Sequence, residues 1–405
     1  MTKSEKYLEE VNRWGANNYK PLPVVLERGR GAWVWDVDGK KYLDCLSAYS
    51  AVNQGHCNRK IAAAAKAQLD RITLTSRAFH NDQMGPFLRQ ICELAGFPKA
   101  LPMNTGAEGV ETALKCVRKW GHKVKGIPDG HAEIIGFEGN FHGRTISVIS
   151  WSSEPQYKDG FGPLTPGFKL VAYGDADAVE RAITPNTCAV IVEPIQGEGG
   201  VIVPPKGYLT RIREICTRHN VLMVADEVQT GLGRTGKMFA CQWEGVKPDA
   251  MILGKALAGG MYPVSVFLAT AEVMGVFKPG DHGSTFGGNP LGAAIGRAAL
   301  KVLVGEKLAE RARVLGDWFQ RELKKIKSPH VKEVRGKGLL IGVEMRRESG
   351  TARPYCEALA ERGILCKETH DQVVRFAPPL TVKKTDLQWA LKRIDAVLKM
   401  DFGKK

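Results

Sequence analysis

The sequence predicts an α/β protein in which a mostly parallel central sheet has helices on both faces and a smaller α+β domain is attached. Three observations lead to this prediction. Short apolar runs alternate with stretches that have apolar residues at helical spacing, as expected for strands buried between two layers of helices. The last quarter of the chain instead combines one long charged helix with strand-like runs. The 405 residues are also too many for one compact core.

The first elements are two short strands, at residues 32–37 and 40–46. The pair Asp38-Gly39 between them is typical of a hairpin with a type I′ turn. Helices are predicted over residues 59–70 and 107–120, because apolar side chains recur there at helical spacing.

Five apolar runs in the middle of the chain predict strands of one sheet, because each is short and is separated from the next by helical stretches. These runs are residues 133–137, 188–192, 221–225, 250–253 and 264–269. After them come a helix that starts near Asn289, a long charged helix over about 307–326, and strands within 331–344. The predicted domains are an N-terminal segment (1–58) that contributes to the small domain, a large ligand-binding domain (59–308) and a C-terminal small domain (309–405).

The composition excludes several classes of protein. Hydrophobic residues make up 43% and charged residues 25%, which is the balance of a globular chain rather than a disordered one. The net charge is +15, but Lys and Arg are spread over every segment, so we expect no nucleic-acid partner. No run of about 18 apolar residues occurs and the first residues lack a signal sequence, so we expect a cytoplasmic protein without a membrane partner. The nine cysteines include no Cys-x-x-Cys pair, so we expect reduced thiols and no metal site.

Polar side chains follow three of the predicted strands, at the edge of the sheet where such folds bind ligands. Lys255 and Asp226 each end one run, and Glu193 and Glu198 follow another. A lysine among small residues can approach a flat cofactor and, once desolvated, form a Schiff base. A carboxylate such as Asp226 can keep the ring nitrogen of pyridoxal phosphate (PLP) protonated, so that the ring accepts electrons. Alone, Lys255 could be a surface lysine and Asp226 a turn cap, and only their combination favours a PLP site.

A phosphate site is predicted where Thr105-Gly106-Ala107 precedes a helix, because free N–H groups at a helix N-terminus bind anions. The alternative is an ordinary Thr/Gly helix cap. Phe141 offers a ring for stacking, and Arg144 offers a guanidinium for a carboxylate. Residues 231–236 match G-x-G-x-x-G, but no long amphipathic helix follows them, so we predict a loop rather than a dinucleotide site.

Several motifs resemble those of the class III (ω-amino-acid) aminotransferases and occur in that family's order. They are Asn-Thr-Gly-Ala-Glu at 104–108, Phe-His-Gly-Arg-Thr at 141–145, Glu-Pro-Ile-Gln-Gly-Glu at 193–198, Asp-Glu-Val-Gln-Thr-Gly-Leu-Gly-Arg-Thr-Gly at 226–236, Lys255, and His-Gly-Ser-Thr-Phe-Gly-Gly-Asn-Pro at 282–290. The resemblance covers nearly the whole chain and implies the fold type I of PLP-dependent aminotransferases, with PLP as cofactor. One departure is His142, where some members have tryptophan.

The resemblance also implies a role for each matching residue. Lys255 holds the cofactor covalently and then moves a proton as base and acid, while Asp226 pairs with the ring nitrogen. Gln229 forms a hydrogen bond to the phenolate oxygen of the ring, and Phe141 stacks on the ring. The phosphate is bound by Thr105, Gly106 and Ala107, and by Thr285 of a second subunit, which implies a homodimer or a larger homo-oligomer. Ser284 is a further implied cofactor-binding residue.

Residues 15–23 and 47–57 are most similar to the branch of this family that acts on ornithine. That branch transfers the δ-amino group of L-ornithine to 2-oxoglutarate and yields glutamate and glutamate 5-semialdehyde, which cyclises to pyrroline-5-carboxylate. The implied substrate-binding residues are Tyr19, Tyr49, Arg144, Glu198 and Arg375. Tyr19 and Arg144 hold the α-carboxylate of ornithine, Arg375 binds that of 2-oxoglutarate, and Glu198 masks Arg375 while ornithine is bound.

Two alternatives stay open. One is a transaminase for acetylornithine or another ω-amine, since Tyr19 and Tyr49 could be packing residues. The other is a PLP-dependent isomerase on the same scaffold, which would need no amino acceptor. The sequence also leaves open whether the reaction serves arginine breakdown or proline synthesis.

Overall fold

The computed structural model describes residues 1–403. Its strands, in chain order, are β1 (Leu26–Arg30), β2 (Trp33–Asp36), β3 (Lys41–Asp44), β4 (Lys99–Met103), β5 (Glu133–Phe137), β6 (Phe168–Val171), β7 (Thr187–Val192), β8 (Leu222–Asp226), β9 (Ala250–Leu253), β10 (Ser265–Ala269), β11 (Val331–Lys337), β12 (Leu340–Met345), β13 (Ile364–Leu365), β14 (Lys367–Thr369) and β15 (Val373–Phe376).

The helices are α1 (Lys3–Trp14), α2 (Ser47–Ser50), α3 (Arg59–Leu69), α4 (Met84–Ala95), α5 (Gly106–Trp120), α6 (Ile146–Ile149), α7 (Pro155–Lys158), α8 (Ala176–Ala182), α9 (Tyr208–Arg218), α10 (Ala271–Met274), α11 (Pro290–Gly305), α12 (Leu308–Lys325), α13 (Ala352–Glu361) and α14 (Lys384–Leu398). Short 3-10 turns cover Ala240–Trp243, Lys255–Ala258 and Arg347–Ser349, and one π-helical turn covers Gly121–Lys125. In the part of the chain described here, no helix is both long and apolar enough to cross a membrane.

The central sheet has seven strands in the order β4-β10-β9-β8-β7-β5-β6. All neighbours are parallel except β10, which runs antiparallel to β4 and β9. Side chains of α5 pack on one face, and those of α9 pack on the other. The prediction of a mostly parallel sheet covered on both faces is confirmed, and every residue of β7, β8, β9 and β10 is buried.

Two smaller sheets flank this layer. One has the order β1-β2-β3-β13, so a strand from the C-terminal part of the chain completes a sheet that the N-terminal segment begins. Its added strand, β13, is parallel to β3 and pairs Ile364 with Leu43. The other sheet, in the order β11-β12-β15-β14, carries Arg375 on a strand that is buried on both faces.

The hairpin of β2 and β3 is confirmed, but its predicted type I′ turn is wrong. That turn needs positive φ at both Asp38 and Gly39, and only Gly39 has it, at +89°. The N–H of Asp36 donates to the carbonyl of Lys40, and the N–H of Gly39 donates to the carbonyl of Asp36. The loop therefore has three residues, because one extra position lets Gly39 alone adopt the left-handed conformation.

Candidate active site

Lys255 and Asp226 meet at one edge of the central sheet. Asp226 ends β8 and Lys255 follows β9, and these strands are parallel neighbours, so both side chains emerge at the carboxyl ends. A cavity of about 200 Å³ opens between them. It is lined by Gly106, Ala107, Phe141, His142, Gly143, Glu193, Asp226, Val228, Gln229, Thr230 and Lys255. An apolar cavity of about 150 Å³ is known to hold benzene, so this one has room for a substituted aromatic ring.

Asp226 is buried and held by two hydrogen bonds. Its Oδ1 accepts the N–H of Val228 at 3.0 Å, and its Oδ2 lies 2.6 Å from Nδ1 of His142. Burial opposes protonation of His142, but its hydrogen bond to Asp226 and the negative charge there outweigh burial and raise the pKa of His142. The imidazole also stacks on Trp151, with ring centroids 4.5 Å apart. His142 therefore fixes the position of the carboxylate that faces the cavity.

Lys255 has a lowered pKa and a strained backbone. Burial disfavours its ammonium and lowers the pKa, although the nearby charge of Glu198 acts in the opposite direction. Its φ is +43°, a left-handed value that is costly for a residue with a side chain. A lysine that loses its proton easily and is aimed at a cavity is chemically suited to act as nucleophile and base.

The N-terminus of α5 forms one wall of the cavity. Thr105 caps this helix, because its hydroxyl accepts the N–H of Glu108 at 3.1 Å while the Glu108 carboxylate accepts the N–H of Thr105 at 2.7 Å. A Cβ added to Gly106 would lie 3.1 Å from Val228 Cγ1, so this glycine keeps the wall open. The capping alternative is thus present in the structure, and the N-terminal end of a 15-residue helix faces the same cavity.

Arg375 and Glu198 form an ion pair beside Gln229, which lines the cavity. Glu198 Oε1 lies 2.7 Å from Arg375 Nη1, and Gln229 Nε2 donates to the same oxygen at 3.0 Å. Burial would raise the pKa of Glu198, but the positive charges of Arg375 and Lys255 outweigh burial and lower it to about 2. Arg375 is 1% exposed, and its Nε and Nη2 have no partner within residues 1–403. These donors are chemically suited to a substrate carboxylate that takes the place of Glu198.

Tyr49 and Arg144 flank the ion pair and the cavity. The Tyr49 ring centroid is 4.9 Å from Arg375 Cζ, and the Arg144 Cζ lies 3.5 Å over the ring of Tyr157. Tyr49 belongs to the left-handed turn α2, in which all four residues have positive φ without being glycine. Tyr19 is 76% exposed, so in a single chain most of its side chain faces solvent.

Ser284 and Thr285 do not line the Lys255 cavity. Asn104 Nδ2 donates to Ser284 Oγ at 2.8 Å, which places Ser284 beside the start of α5. Thr285 lines a different cavity of about 540 Å³, together with Arg77 and Pro102. A single chain therefore brings Thr105, Gly106, Ala107, Phe141, Gln229, Asp226 and Lys255 into one region and leaves Thr285 outside it.

The structure gives contacts to three residues of the site whose contacts the sequence does not predict. Glu193 accepts the N–H of Phe141 at 3.0 Å, and burial raises its pKa to about 7. His142 holds Asp226, and Tyr157 stacks under Arg144. The position of Glu193 after β7, the neighbour of β8, was a usable signal, whereas nothing in the sequence around Tyr157 pointed to the site.

PLP fits these residues. The cavity offers a lysine for covalent attachment, a buried carboxylate opposite it, and the ring of Phe141 on its wall. The helix N-terminus at Gly106 is suited to the phosphate, and a Cβ on that residue would narrow the space. The unpaired Nε and Nη2 of Arg375 are suited to a substrate carboxylate.

Comparisons with known proteins agree with this geometry. The family described as aminotransferase class III matches residues 14–398. Ornithine aminotransferase 2 of Staphylococcus aureus (strain N315) is 60% identical over 394 residues, which cover 97% of this chain and 99% of the relative. An ornithine aminotransferase structure from Toxoplasma gondii, described with partial occupancy of PLP at its active site, superposes with a TM-score of 0.97 at 46% identity, covering 98% of this chain and 94% of that chain. An acetylornithine aminotransferase structure from Elizabethkingia anophelis gives 0.91 at 51% identity, covering 98% and 99%.

Both the fold class and the family resemblance are confirmed by these matches. The sheet order, the helices on both faces and the full-length superposition are those of a fold type I aminotransferase. The chain therefore belongs to the class III aminotransferase family.

Proposed function

We propose that this protein is a PLP-dependent ornithine aminotransferase, which transfers the δ-amino group of L-ornithine to 2-oxoglutarate. The observation that carries the proposal is the pair Glu198–Arg375, which lies beside the cavity of Lys255 and Asp226. Such a pair lets one site accept both a diamino acid and a dicarboxylate. The names of the Staphylococcus and Toxoplasma relatives support the choice of ornithine.

Lys255 and Asp226 carry the chemistry on the cofactor side. When bound, PLP supplies an electron sink that stabilises negative charge at the substrate carbon. Asp226 would hold a proton on the ring nitrogen, and His142 orients Asp226 for this role. The lowered pKa of Lys255 makes its neutral amine available both for covalent attachment and for moving a proton at the substrate carbon. Phe141 and Gln229 contact the ring, and Thr105, Gly106 and Ala107 bind the phosphate.

Arg375, Glu198 and Arg144 choose between the two substrates. While ornithine is bound, Glu198 pairs with Arg375 and prevents it from attracting the ornithine carboxylate, which Tyr19 and Arg144 hold instead. The δ-amino group then faces Lys255. When 2-oxoglutarate enters, Glu198 moves aside, Arg375 binds the α-carboxylate and Arg144 binds the distal one. Tyr49, whose ring lies against Arg375, limits the room beside this carboxylate.

A homodimer is part of the proposal. Thr285 lies outside the Lys255 cavity of its own chain, so it can complete a phosphate site only across a subunit contact. We also propose the division into an N-terminal segment (1–58), a large domain (59–308) and a small domain (309–405). The pairing of β3 with β13 supports the association of the first and last of these.

The test is a single turnover of the PLP-loaded protein with each of three amino donors. We expect ornithine to change the absorbance of the bound cofactor rapidly, acetylornithine and 4-aminobutyrate to do so slowly, and 2-oxoglutarate to reverse the change. A faster reaction with acetylornithine would contradict the choice of substrate. A reaction that runs without any oxo-acid acceptor would favour an isomerase.

Acetylornithine is the second candidate substrate, because the Elizabethkingia relative is named for it and is 51% identical to this chain. Its acetyl group removes the charge of the α-amine and adds bulk beside Tyr49. The comparison of acetylornithine with ornithine in the wild type and in Tyr49→Ala therefore tests the choice. If Tyr49 restricts the site to ornithine, the alanine variant gains reactivity with acetylornithine.

A further inference from the structure

Residues 231–236 match a nucleotide-binding motif in sequence, and in the structure they form a loop that contacts distant segments through Arg234. Its Arg234 is 0% exposed, and neutral groups accept its hydrogen bonds. Arg234 Nη1 donates to the carbonyls of Leu339 at 2.9 Å and Pro378 at 2.7 Å. Arg234 Nη2 donates to the side-chain oxygen of Asn53 at 2.5 Å. A guanidinium buried without a carboxylate is costly, so its contacts need an explanation.

Two of the three acceptors of Arg234, Asn53 and Pro378, belong to segments that lead to the substrate side of the site. Asn53 follows the left-handed turn that carries Tyr49, and Pro378 follows the strand that carries Arg375. The side chain of Asn53 also donates to the carbonyl of Leu232 at 3.0 Å, so the loop and the turn are joined in both directions. The loop itself continues from Asp226 and Gln229 on the cofactor side.

The glycines of this loop hold its backbone tightly against the same neighbours. Gly233 has a φ of +88°, and a Cβ there would lie 3.1 Å from Leu380 Cδ1. Across the contact, Gly338 has a φ of +54°, and a Cβ there would lie 2.4 Å from the carbonyl carbon of Thr235. The loop is therefore in close backbone contact with its neighbours, and the guanidinium is the polar link between them.

We infer that Arg234 is a positioning residue for substrate binding, because it fixes the Tyr49 turn and the segment after Arg375 relative to the chain that continues from Asp226 and Gln229. This inference rests on the proposed function, in which Tyr49 and Arg375 contact the substrate. A lysine at this position cannot replace the arginine, because one ammonium lacks the planar fork that spans three separated acceptors. Loss of the link would move the carboxylate-binding groups away from the cofactor side.

The test compares Arg234→Lys with the matched control Arg311→Lys. Arg311 also donates to carbonyls of the chain after Pro378, at 3.0 Å to Leu380 and 2.6 Å to Val382, but it does not contact Asn53. The probe is glutarate, which has both carboxylates of 2-oxoglutarate and no carbonyl to react. Its Kd for the PLP-loaded proteins is measured by calorimetry, with cofactor absorbance and Tm recorded for each variant.

We expect Arg234→Lys to raise the Kd of glutarate about tenfold or more, since small misplacements of binding groups have large effects. Arg311→Lys should stay within about twofold of the wild type at a comparable loss of Tm. A glutarate Kd that is unchanged in a folded Arg234→Lys protein, or that rises equally in both variants, overturns the inference.

Asn53→Ala decides the question if Arg234→Lys does not fold. It removes both hydrogen bonds between the Tyr49 turn and the loop, those of Asn53 with Arg234 and Leu232, and leaves both carbonyl contacts of Arg234 in place. An increased Kd supports the inference and an unchanged one overturns it. Glutarate binding is measured without an amino donor. A wild type that binds glutarate but does not react with ornithine would therefore contradict the proposed substrate separately from the role of Arg234.

Discussion

Replacing Glu198 with alanine removes the charge that covers Arg375, and we expect it to impair the reaction with ornithine more than the reaction with glutamate. Glu198 lies 2.7 Å from Arg375 Nη1, and its side chain is 24% exposed. Burial alone would raise its pKa, but the charges of Arg375 and Lys255 hold it at about 2, compared with 4.5 for an ordinary glutamate. The difference corresponds to about 3 kcal/mol in favour of the charged form, which is an upper limit for the effect of the mask.

The size of the effect follows from competition for Arg375. In Glu198→Ala the carboxylate of ornithine can bind the uncovered guanidinium, which brings the α-amino group to Lys255 in place of the δ-amino group. Each 1.4 kcal/mol is a factor of ten, so the ratio of kcat/KM for ornithine to that for glutamate should fall by about 10- to 100-fold. Glutamate itself needs Arg375 uncovered, and its reaction should change little.

The assay is stopped-flow absorbance of the bound cofactor in single turnovers with either amino donor. Glu198→Gln is the matched control, because glutamine keeps the volume and hydrogen bonding of glutamate without the charge. We expect it to follow the alanine variant. The charged form of Glu198 is lost only as pH falls towards 2, so the wild-type ratio should stay constant between about pH 5 and 9. Equal changes for both donors in Glu198→Ala would refute the masking mechanism.

Three further predictions concern the cofactor side and the fold. Burial raises the pKa of Glu193 from 4.5 to about 7. Its contribution to the free energy of unfolding therefore falls as pH rises from 4.5 to 7, because the folded protein resists losing this proton. In calorimetry, Glu193→Gln should raise Tm relative to the wild type at about pH 8 but not at about pH 5. A pH-independent difference would contradict this. Lys255→Ala should lose the absorbance of covalently held PLP and all transamination while remaining folded by circular dichroism, and persisting turnover would remove Lys255 from its role. In Gly316→Ala the new Cβ would lie 1.9 Å from the carbonyl oxygen of Gly338. We therefore expect the free energy of unfolding, measured with urea, to fall by about 1–3 kcal/mol. Gly305→Ala, where the new Cβ has no neighbour within 4 Å among residues 1–403, is its control and should not be destabilised.

The interior strands of the central sheet could be predicted because they are mostly apolar. Runs such as Glu133–Phe137 and Ala250–Leu253 have the predicted bounds in the structure, since burial on both faces leaves a continuous signal. The strands β4 and β6 were missed. Each lies at an edge of the sheet, β4 contains Pro102, and β6 is only half-buried, so neither shows the pattern of an interior strand.

The candidate site could be predicted only where a reactive or charged side chain lies at the end of a strand. Asp226 and Lys255 were predicted in this way and line one cavity in the structure, and residues 231–236 form the predicted loop. Contacts between distant segments could not be predicted from the spacing of residues along the sequence. The stacking of Tyr157 under Arg144 and the role of Arg234 depend on how three segments meet, and no local pattern records that.

In the left-handed turn Ser47–Ser50, a substitution that raises thermal stability would lower the selectivity for the amino donor. Each non-glycine residue in this conformation costs about 1–2 kcal/mol, and Ala48, with a φ of +46°, has no side chain that could compensate. Ala48→Gly would relieve that cost, and a screen for thermal resistance would select it. The same change would let the turn move and loosen Tyr49 against Arg375. A more heat-resistant variant of this kind would therefore discriminate less well among amino donors.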